Sequence, residues 1–217
     1  KFYIHDTTEY VRQSLAIWEE LGFEFDAIST GFIVTEEETR IISDFCHRRA
    51  QKGTKVFVDP IMGDNGKLYA GVPESTIGLM RHLLECADYA VPNYTEACLL
   101  ADRPIAEEIT PDEGRALVDA VRELGAKSVV ITSAVVNGTN AVIGYDHVAG
   151  EYFMIPFELI PVYFPGTGDT FSAVLVGRVM AGWSLQRATS DAMRVVAELI
   201  ERNADQEDKS AGLPIEA

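Results

Sequence analysis

Phe164-Pro165-Gly166-Thr167-Gly168-Asp169-Thr170-Phe171-Ser172 separates an apolar, β-rich run over residues 157–164 from an apolar helix predicted over 171–180. A strand, a glycine turn and a helix N-terminus together form an anion site. Glycine lets the backbone approach closely, and the first helical N–H groups have no partner inside the helix. The carboxylate set in this turn gives it a chemical direction: Asp169 stands among N–H donors and can accept a proton from a substrate hydroxyl. Donors for a developing negative charge beside a base point to phosphoryl transfer to an alcohol. An Asp capping an ordinary helix is the plain alternative, and the motif alone does not separate the two. Other glycine motifs are excluded. The Rossmann pattern needs a third glycine where Phe171 stands, and Gly-x-x-x-x-Gly-Lys-[Ser/Thr] occurs nowhere in the chain.

The 217 residues are enough for one well-buried α/β domain, and no change in composition asks for a second. A net charge of −16 disfavours nucleic acid and anionic membrane as partners. It does not disfavour a nucleotide, because a divalent cation and local donors offset the repulsion. Cys46, Cys86 and Cys98 lie in helix-like apolar stretches without C-x-x-C spacing, so buried reduced thiols are predicted. His5, His47, His82 and His147 have no ligand spacing and are assigned no role. No apolar run has transmembrane length and no signal peptide is visible, so the chain reads as cytoplasmic. Lys1-Phe2-Tyr3 is not a natural start, and an N-terminal piece is expected to precede it.

Asp6-Thr7-Thr8-Glu9 has capping-box spacing and opens a helix that Gly22 stops, with Val11, Leu15 and Trp18 on one face. A strand is predicted over 27–33, and Thr35 with Glu38 opens a helix to Gly53. Val56-Phe57-Val58 is continuously apolar, as a strand covered on both faces should be. A long loop over 60–73 follows, then a helix through Ile77, Met80, Leu83 and Leu84, a strand at 89–91 and a short helix over 95–100. Thr110-Pro111-Asp112-Glu113 starts a helix ending at Gly125, and Val129-Val130-Ile131 is another buried strand. Residues 141–145 and 152–157 read as an antiparallel hairpin, helices are predicted from Thr170 and Ser184, and the polar tail 203–217 as frayed. The alternation gives a doubly wound, mostly parallel sheet flanked by helices, with an antiparallel edge hairpin, in one domain over 1–217.

The polar side chains of interest fall where predicted strands end, the edge at which such sheets bind ligands. Asp59 ends 56–58, Asn93 and Glu96 follow 89–91, Thr132 and Ser133 end 129–131, and Asp169 follows the run at 157–164. Each has a plain structural reading too. Asp59 before Pro60 suits a turn, Asp64 a solvated loop, Asn93 and Glu96 a helix start, and Thr132 and Ser133 ordinary strand ends.

Gly166-Thr167-Gly168-Asp169-Thr170-Phe171 resembles the C-terminal signature of the ribokinase superfamily, most closely its pyridoxal kinase branch. Val58-Asp59-Pro60-Ile61-Met62-Gly63-Asp64-Asn65-Gly66-Lys67-Leu68-Tyr69 and Val91-Pro92-Asn93-Tyr94-Thr95-Glu96 match two further motifs in the family's order. The resemblance runs from about Asp26 to the helix after Asp169. It implies a ribokinase-like fold and transfer of phosphate from ATP, with Mg²⁺ and an open question of K⁺, to the 5′-hydroxyl of pyridoxal, pyridoxine or pyridoxamine. It makes Asp169 the base, with the N–H groups of Gly166, Thr167, Gly168 and Asp169 on the transferring phosphoryl. It sets Asp59 near the phosphates and their cation, Asp64 at the nucleotide phosphates or a metal-bound water, and Glu96 on Mg²⁺ through water. Asn93, Thr132 and Ser133 fall on the nucleotide side, and Lys67 and Tyr69 in a segment covering ATP. Phe32, after Thr30-Gly31, stands where the family often has Tyr, which leaves vitamer preference open. The family's first strand and much of its pyridine-binding segment have no counterpart, and Leu100-Ala101-Asp102-Arg103 lacks the family's usual Thr-Gly. A homodimer is the family expectation. The rivals are a hydroxymethylpyrimidine kinase of thiamin synthesis and a ligand-binding relative without turnover. Asp rather than Cys at position 169, and the run Gly63 to Tyr69, favour the pyridoxal branch.

Overall fold

A computed structural model describes residues 5–33 and 35–216; the reading of Lys1-Phe2-Tyr3 lies outside them. The first half contains α1 (Thr8–Glu20), β1 (Ala27–Thr30), α2 (Glu36–Ala50), β2 (Lys55–Val58), β3 (Gly63–Asp64), β4 (Lys67–Leu68), α3 (Ser75–Leu84), β5 (Tyr89–Ala90) and α4 (Tyr94–Leu100). The second contains α5 (Pro111–Arg122), β6 (Ser128–Val136), β7 (Thr139–Asp146), β8 (Glu151–Pro156), α6 (Thr167–Met180) and α7 (Leu185–Arg202). Among the described residues a six-stranded sheet has the order β1-β2-β5-β6-β7-β8. Pairing is parallel from β1 to β6 and antiparallel from β6 to β8.

The continuous apolar runs have the cause expected of them. Val56 and Val58 of β2 pack with Met80, Leu83, Leu84 and Leu117 on the face covered by α2, α3, α4 and α5. Phe57 between them packs on the opposite face with Phe171, Leu175 and Leu185 of α6 and α7. Val129 and Ile131 divide from Val130 in the same way. A strand covered on both sides has no polar face to show, and the doubly wound, mostly parallel architecture follows. Helix starts obey their local chemistry. Thr35 accepts from the Glu38 N–H, and Thr110 and Glu113 form a full capping box with Pro111 in the first turn. Cys46, Cys86 and Cys98 are buried free thiols.

Several expectations are corrected. Residues 157–164 form no strand. Pro161 removes a ladder donor, Val162 N–H closes a tight turn onto Ile160 O, and Leu159 and Tyr163 are exposed. Thr132 and Ser133 do not end a strand, because β6 runs on to Val136 with a bulge between Ile131 and Ala134. Asn137 (φ 47°) and Gly138 (φ 75°) then turn the chain into β7, a two-residue hairpin signal that the shorter strand reading passed over. The loop 60–73 contains a small hairpin, β3–β4, around Asn65 (φ 52°) and Gly66 (φ 81°). Helix α6 begins at Thr167 with Gly166 as its cap in the left-handed region (φ 86°), so Asp169 lies in the first turn and is not the cap. Neither bond of the box expected at Asp6 forms among the described residues, and Thr7 stands at the cap position. Asp6 accepts from the Thr8 N–H and hydroxyl, while the Glu9 carboxylate turns to Arg12 and Gln13. The tail is not simply frayed: Leu213 is buried and its N–H donates to Pro165 O at 2.9 Å.

Candidate active site

The parallel strands open at their C-terminal ends into a cleft of about 550 Å³. Asp59, Asp64, Asn93, Glu96, Thr132 and Ser133 line it, with Tyr69 at one side and residues 166–169 at the other. Phe32 does not line the cleft and is 45% exposed, so the structure does not bring this expected substrate contact into the site. Lys67 is exposed and does not line it either.

One wall is built from the start of α4. Asn93 accepts from the Glu96 N–H, and Glu96 Oε2 accepts from the Asn93 N–H at 3.0 Å, a reciprocal box that satisfies helix-end donors. The other oxygen, Oε1, accepts from Met62 N–H at 3.0 Å and Gly63 N–H at 3.3 Å. The Asn93 amide donates to Gly63 O at 2.8 Å, and Gly66 N–H to the Thr95 hydroxyl at 2.9 Å. The β3–β4 hairpin therefore hangs from the first turn of α4. Gly63 is required at this contact: a Cβ there would lie 2.5 Å from Lys67 O. The structural and functional readings of Asn93 and Glu96 thus coexist in the same atoms. Asp64 accepts from the Asn65 N–H at one oxygen and from the Asn65 amide at the other.

The opposite wall is the N-terminus of α6. Thr170 makes the first intrahelical bond, to Gly166 O, so the N–H groups of Thr167, Gly168 and Asp169 have no backbone acceptor among the described residues. The Asp169 carboxylate accepts no hydrogen bond from the described residues and is exposed. Asp59, at the end of β2, accepts from the Ser172 hydroxyl at 2.9 Å. Thr132 N–H donates to Pro92 O, so the bulge of β6 stays beside the end of β5. Ser133 holds φ 61°, a conformation rare for a residue with a side chain and frequent at functional sites.

Charge collects in a partly dry space. Burial pushes the Asp59 carboxyl up to about 6; the Ser172 hydroxyl opposes this and the charge of Asp169 adds to it. Burial pushes Glu96 up to about 7 against the pull of the Met62 and Asn93 N–H groups. Burial, then the charges of Glu96 and Asp64, push the Tyr69 phenol up to about 12. Such a site favours whatever brings positive charge into it.

No group of three or more His, Cys, Asp or Glu side chains able to hold a metal occurs among the described residues. Mg²⁺ does not ask for one, since it usually takes one or two carboxylates, substrate phosphates and water. The donor set fits that ion. Asp59 keeps an oxygen free of hydrogen bonds, whereas Asp64, which lines the same cleft, has both oxygens on Asn65, and Glu96 is committed to backbone N–H groups, so these two reach a cation through water.

Residues that the sequence reading passed over also line the cleft. Ser172 was quoted but given no task, and Tyr163 lies in the run taken for a strand. Met193, Val196 and Ile200 of α7 form an apolar wall whose helical spacing was visible but reads equally as core.

The phosphomethylpyrimidine kinase family matches residues 5–213 of the chain. The pyridoxal kinase of Arabidopsis thaliana is 34% identical over 158 residues, 68% of this chain and 48% of that protein. A Bacteroides thetaiotaomicron protein provisionally described as a phosphomethylpyrimidine kinase, in an orthorhombic crystal form with pyridoxal, superposes with a TM-score of 0.90 at 32% identity, covering 96% of this chain and 74% of that one. The pyridoxal kinase of Lactobacillus plantarum superposes with a TM-score of 0.84 at 26% identity, covering 98% and 76%. The chain spans about half the length of the curated relatives it matches. Among the described residues no helix is long and apolar enough to cross a membrane. With a match over nearly its whole length and a solved relative superposing on the same architecture, the chain belongs to the phosphomethylpyrimidine kinase family of the ribokinase-like superfamily.

Proposed function

We propose that the chain phosphorylates the 5′-hydroxyl of pyridoxal and related B6 vitamers with ATP as donor, as a cytoplasmic and dimeric enzyme. The observation that carries this reading is the uncommitted Asp169 carboxylate in the first turn of α6, beside N–H groups without backbone acceptors and next to Asp59, which Ser172 ties to the same helix. The alcohol oxygen attacks the γ-phosphorus, the bond to the bridging oxygen of the leaving diphosphate breaks, and Asp169 takes the hydroxyl proton. The N–H groups of Thr167, Gly168 and Asp169 meet the charge on the phosphoryl oxygens, and the α6 dipole adds to them. Asp59 would hold Mg²⁺, with Asp64 and Glu96 acting through water; when bound, the ion offsets charge on the phosphates. Thr132 and Ser133 present hydroxyls to phosphate oxygens, and Tyr69 and Asn93 bound the nucleotide side.

The solved relative with pyridoxal supports the vitamer as acceptor. The description of the family favours a pyrimidine as a second reading. ATP consumption measured with pyridoxal and with hydroxymethylpyrimidine at equal concentration separates them. Pyridoxal is expected to give much the higher kcat/KM. The reverse ratio moves the protein to the thiamin side, and no turnover of either alcohol makes it a binding relative.

A further inference from the structure

Ser172 lies on α6 one turn beyond Asp169 and is 8% exposed. A serine inside a helix usually turns its hydroxyl to solvent or back to the carbonyl four residues earlier. This one reaches out of its helix and donates to Asp59 Oδ2 at 2.9 Å, across 113 residues of sequence. No other described group donates to that carboxylate, so the hydroxyl alone selects which Asp59 oxygen is tethered. The same bond ties the end of β2 to the helix that carries Asp169, at the point where both line the cleft.

We infer that Ser172 is a positioning residue: it clamps Asp59 Oδ2 to α6 and leaves Oδ1 facing the cleft for the divalent cation that accompanies a nucleoside triphosphate. Without the donor, Asp59 is free to rotate, and the order of the cation side of the cleft is lost while the fold remains. Ala suits a helix interior, so Ser172→Ala removes the hydroxyl at little cost to α6. Ser172→Cys keeps a similar volume with a far weaker donor.

The inference rests on the kinase reading, and its test is separable from that reading because it is read by cation binding. Mn²⁺ binding to the full chain in the presence of ADP is followed by electron paramagnetic resonance, with the thermal midpoint taken on the same samples. Both variants are expected to bind Mn²⁺ about tenfold more weakly than wild type, the size of effect typical of a lost hydrogen bond to a charged group. Adding Ser172→Ala to Asp59→Asn is expected to weaken binding no further, because the clamp has nothing left to hold. Mn²⁺ affinity within twofold of wild type in either folded variant overturns the proposal. So does equal weakening by Ser172→Ala with and without the Asp59 carboxylate, or the absence of Mn²⁺ binding by the wild type. If the Ala variant does not fold, the Cys variant decides. A wild type that binds Mn²⁺ with ADP but does not phosphorylate pyridoxal refutes the substrate assignment and leaves the clamp to be judged on the binding data.

Discussion

Replacing Glu96 by Gln changes little in shape and much in bonding. The carboxylate accepts from Met62 and Gly63 through one oxygen and from Asn93 through the other. Gln has one acceptor oxygen. Turned to Met62 and Gly63, it sets its NH₂ against the Asn93 N–H; turned to Asn93, it strands the other two donors. Either way a buried donor is left alone, at about 1–3 kcal/mol. The opposing effect is that Gln has no proton to lose. Burial places the folded Glu96 carboxyl at about 7 against 4.5 in the unfolded chain, so the folded state binds the proton more tightly. Stability from this group is fully present below about pH 4.5 and is lost as pH rises through about 7. Between pH 5 and pH 8 the wild type should lose about 2 kcal/mol by this route, and the Gln variant nothing. Glu96→Gln is therefore expected to cost about 2 kcal/mol more near pH 5 than near pH 8. Urea unfolding of both proteins at half-unit pH steps measures the difference, and titrating groups remote from Glu96 cancel between them. A difference that does not change with pH, or one that grows as pH rises, refutes the account of this side chain.

Asp169→Asn should lower kcat by roughly 10²–10⁴-fold with MgATP binding nearly unchanged. It should lower the thermal midpoint little, because Gly166 and not Asp169 caps α6 and only a dipole contribution of about 0.3–1 kcal/mol is lost. Near wild-type turnover would remove Asp169 from the mechanism. Gly144→Ala should be among the most damaging single methyl additions: the new Cβ would stand 2.5 Å from Phe153 Cζ and 2.5 Å from Val129 O. Overpacking of this kind costs about 1–3 kcal/mol, or roughly 3–10 °C in midpoint for a chain of this size, and an unchanged melting curve counts against the packing described for β6, β7 and β8.

What was legible in the sequence is what local chemistry alone decides. Thr110-Pro111-Asp112-Glu113 starts a helix wherever it stands, and Val56-Phe57-Val58 can only be a strand covered twice. The cleft was legible through the same rule, since strand ends in a parallel sheet share one edge, and most of the residues chosen there do line it. The misreadings come from segments whose composition and partners disagree. Residues 157–164 are aromatic and apolar because they wall the cleft, not because they pair in the sheet. The tail looks solvated, yet Leu213 finds Pro165 beside the glycine turn, a contact no local pattern announces. The Ser172 bond to Asp59 spans too much sequence for any motif to carry it.

The bulge in β6 settles a question of parity. Val129 and Ile131 face one layer of the core on odd numbers, and an uninterrupted strand would send Ser133 and Val135 after them. Two residues, Thr132 and Ser133, oppose the single residue Val142 instead, and beyond them Ala134 and Val136 take up the same layer on even numbers. The frame shift lets one strand keep its buried face unbroken while showing consecutive hydroxyls to the cleft, which strict alternation forbids. Deleting either hydroxyl residue would therefore restore regular counting, leaving one hydroxyl at the cleft and the core unchanged beyond it. Inserting or deleting a residue anywhere else between Val129 and Val136 would turn one end of the strand inside out.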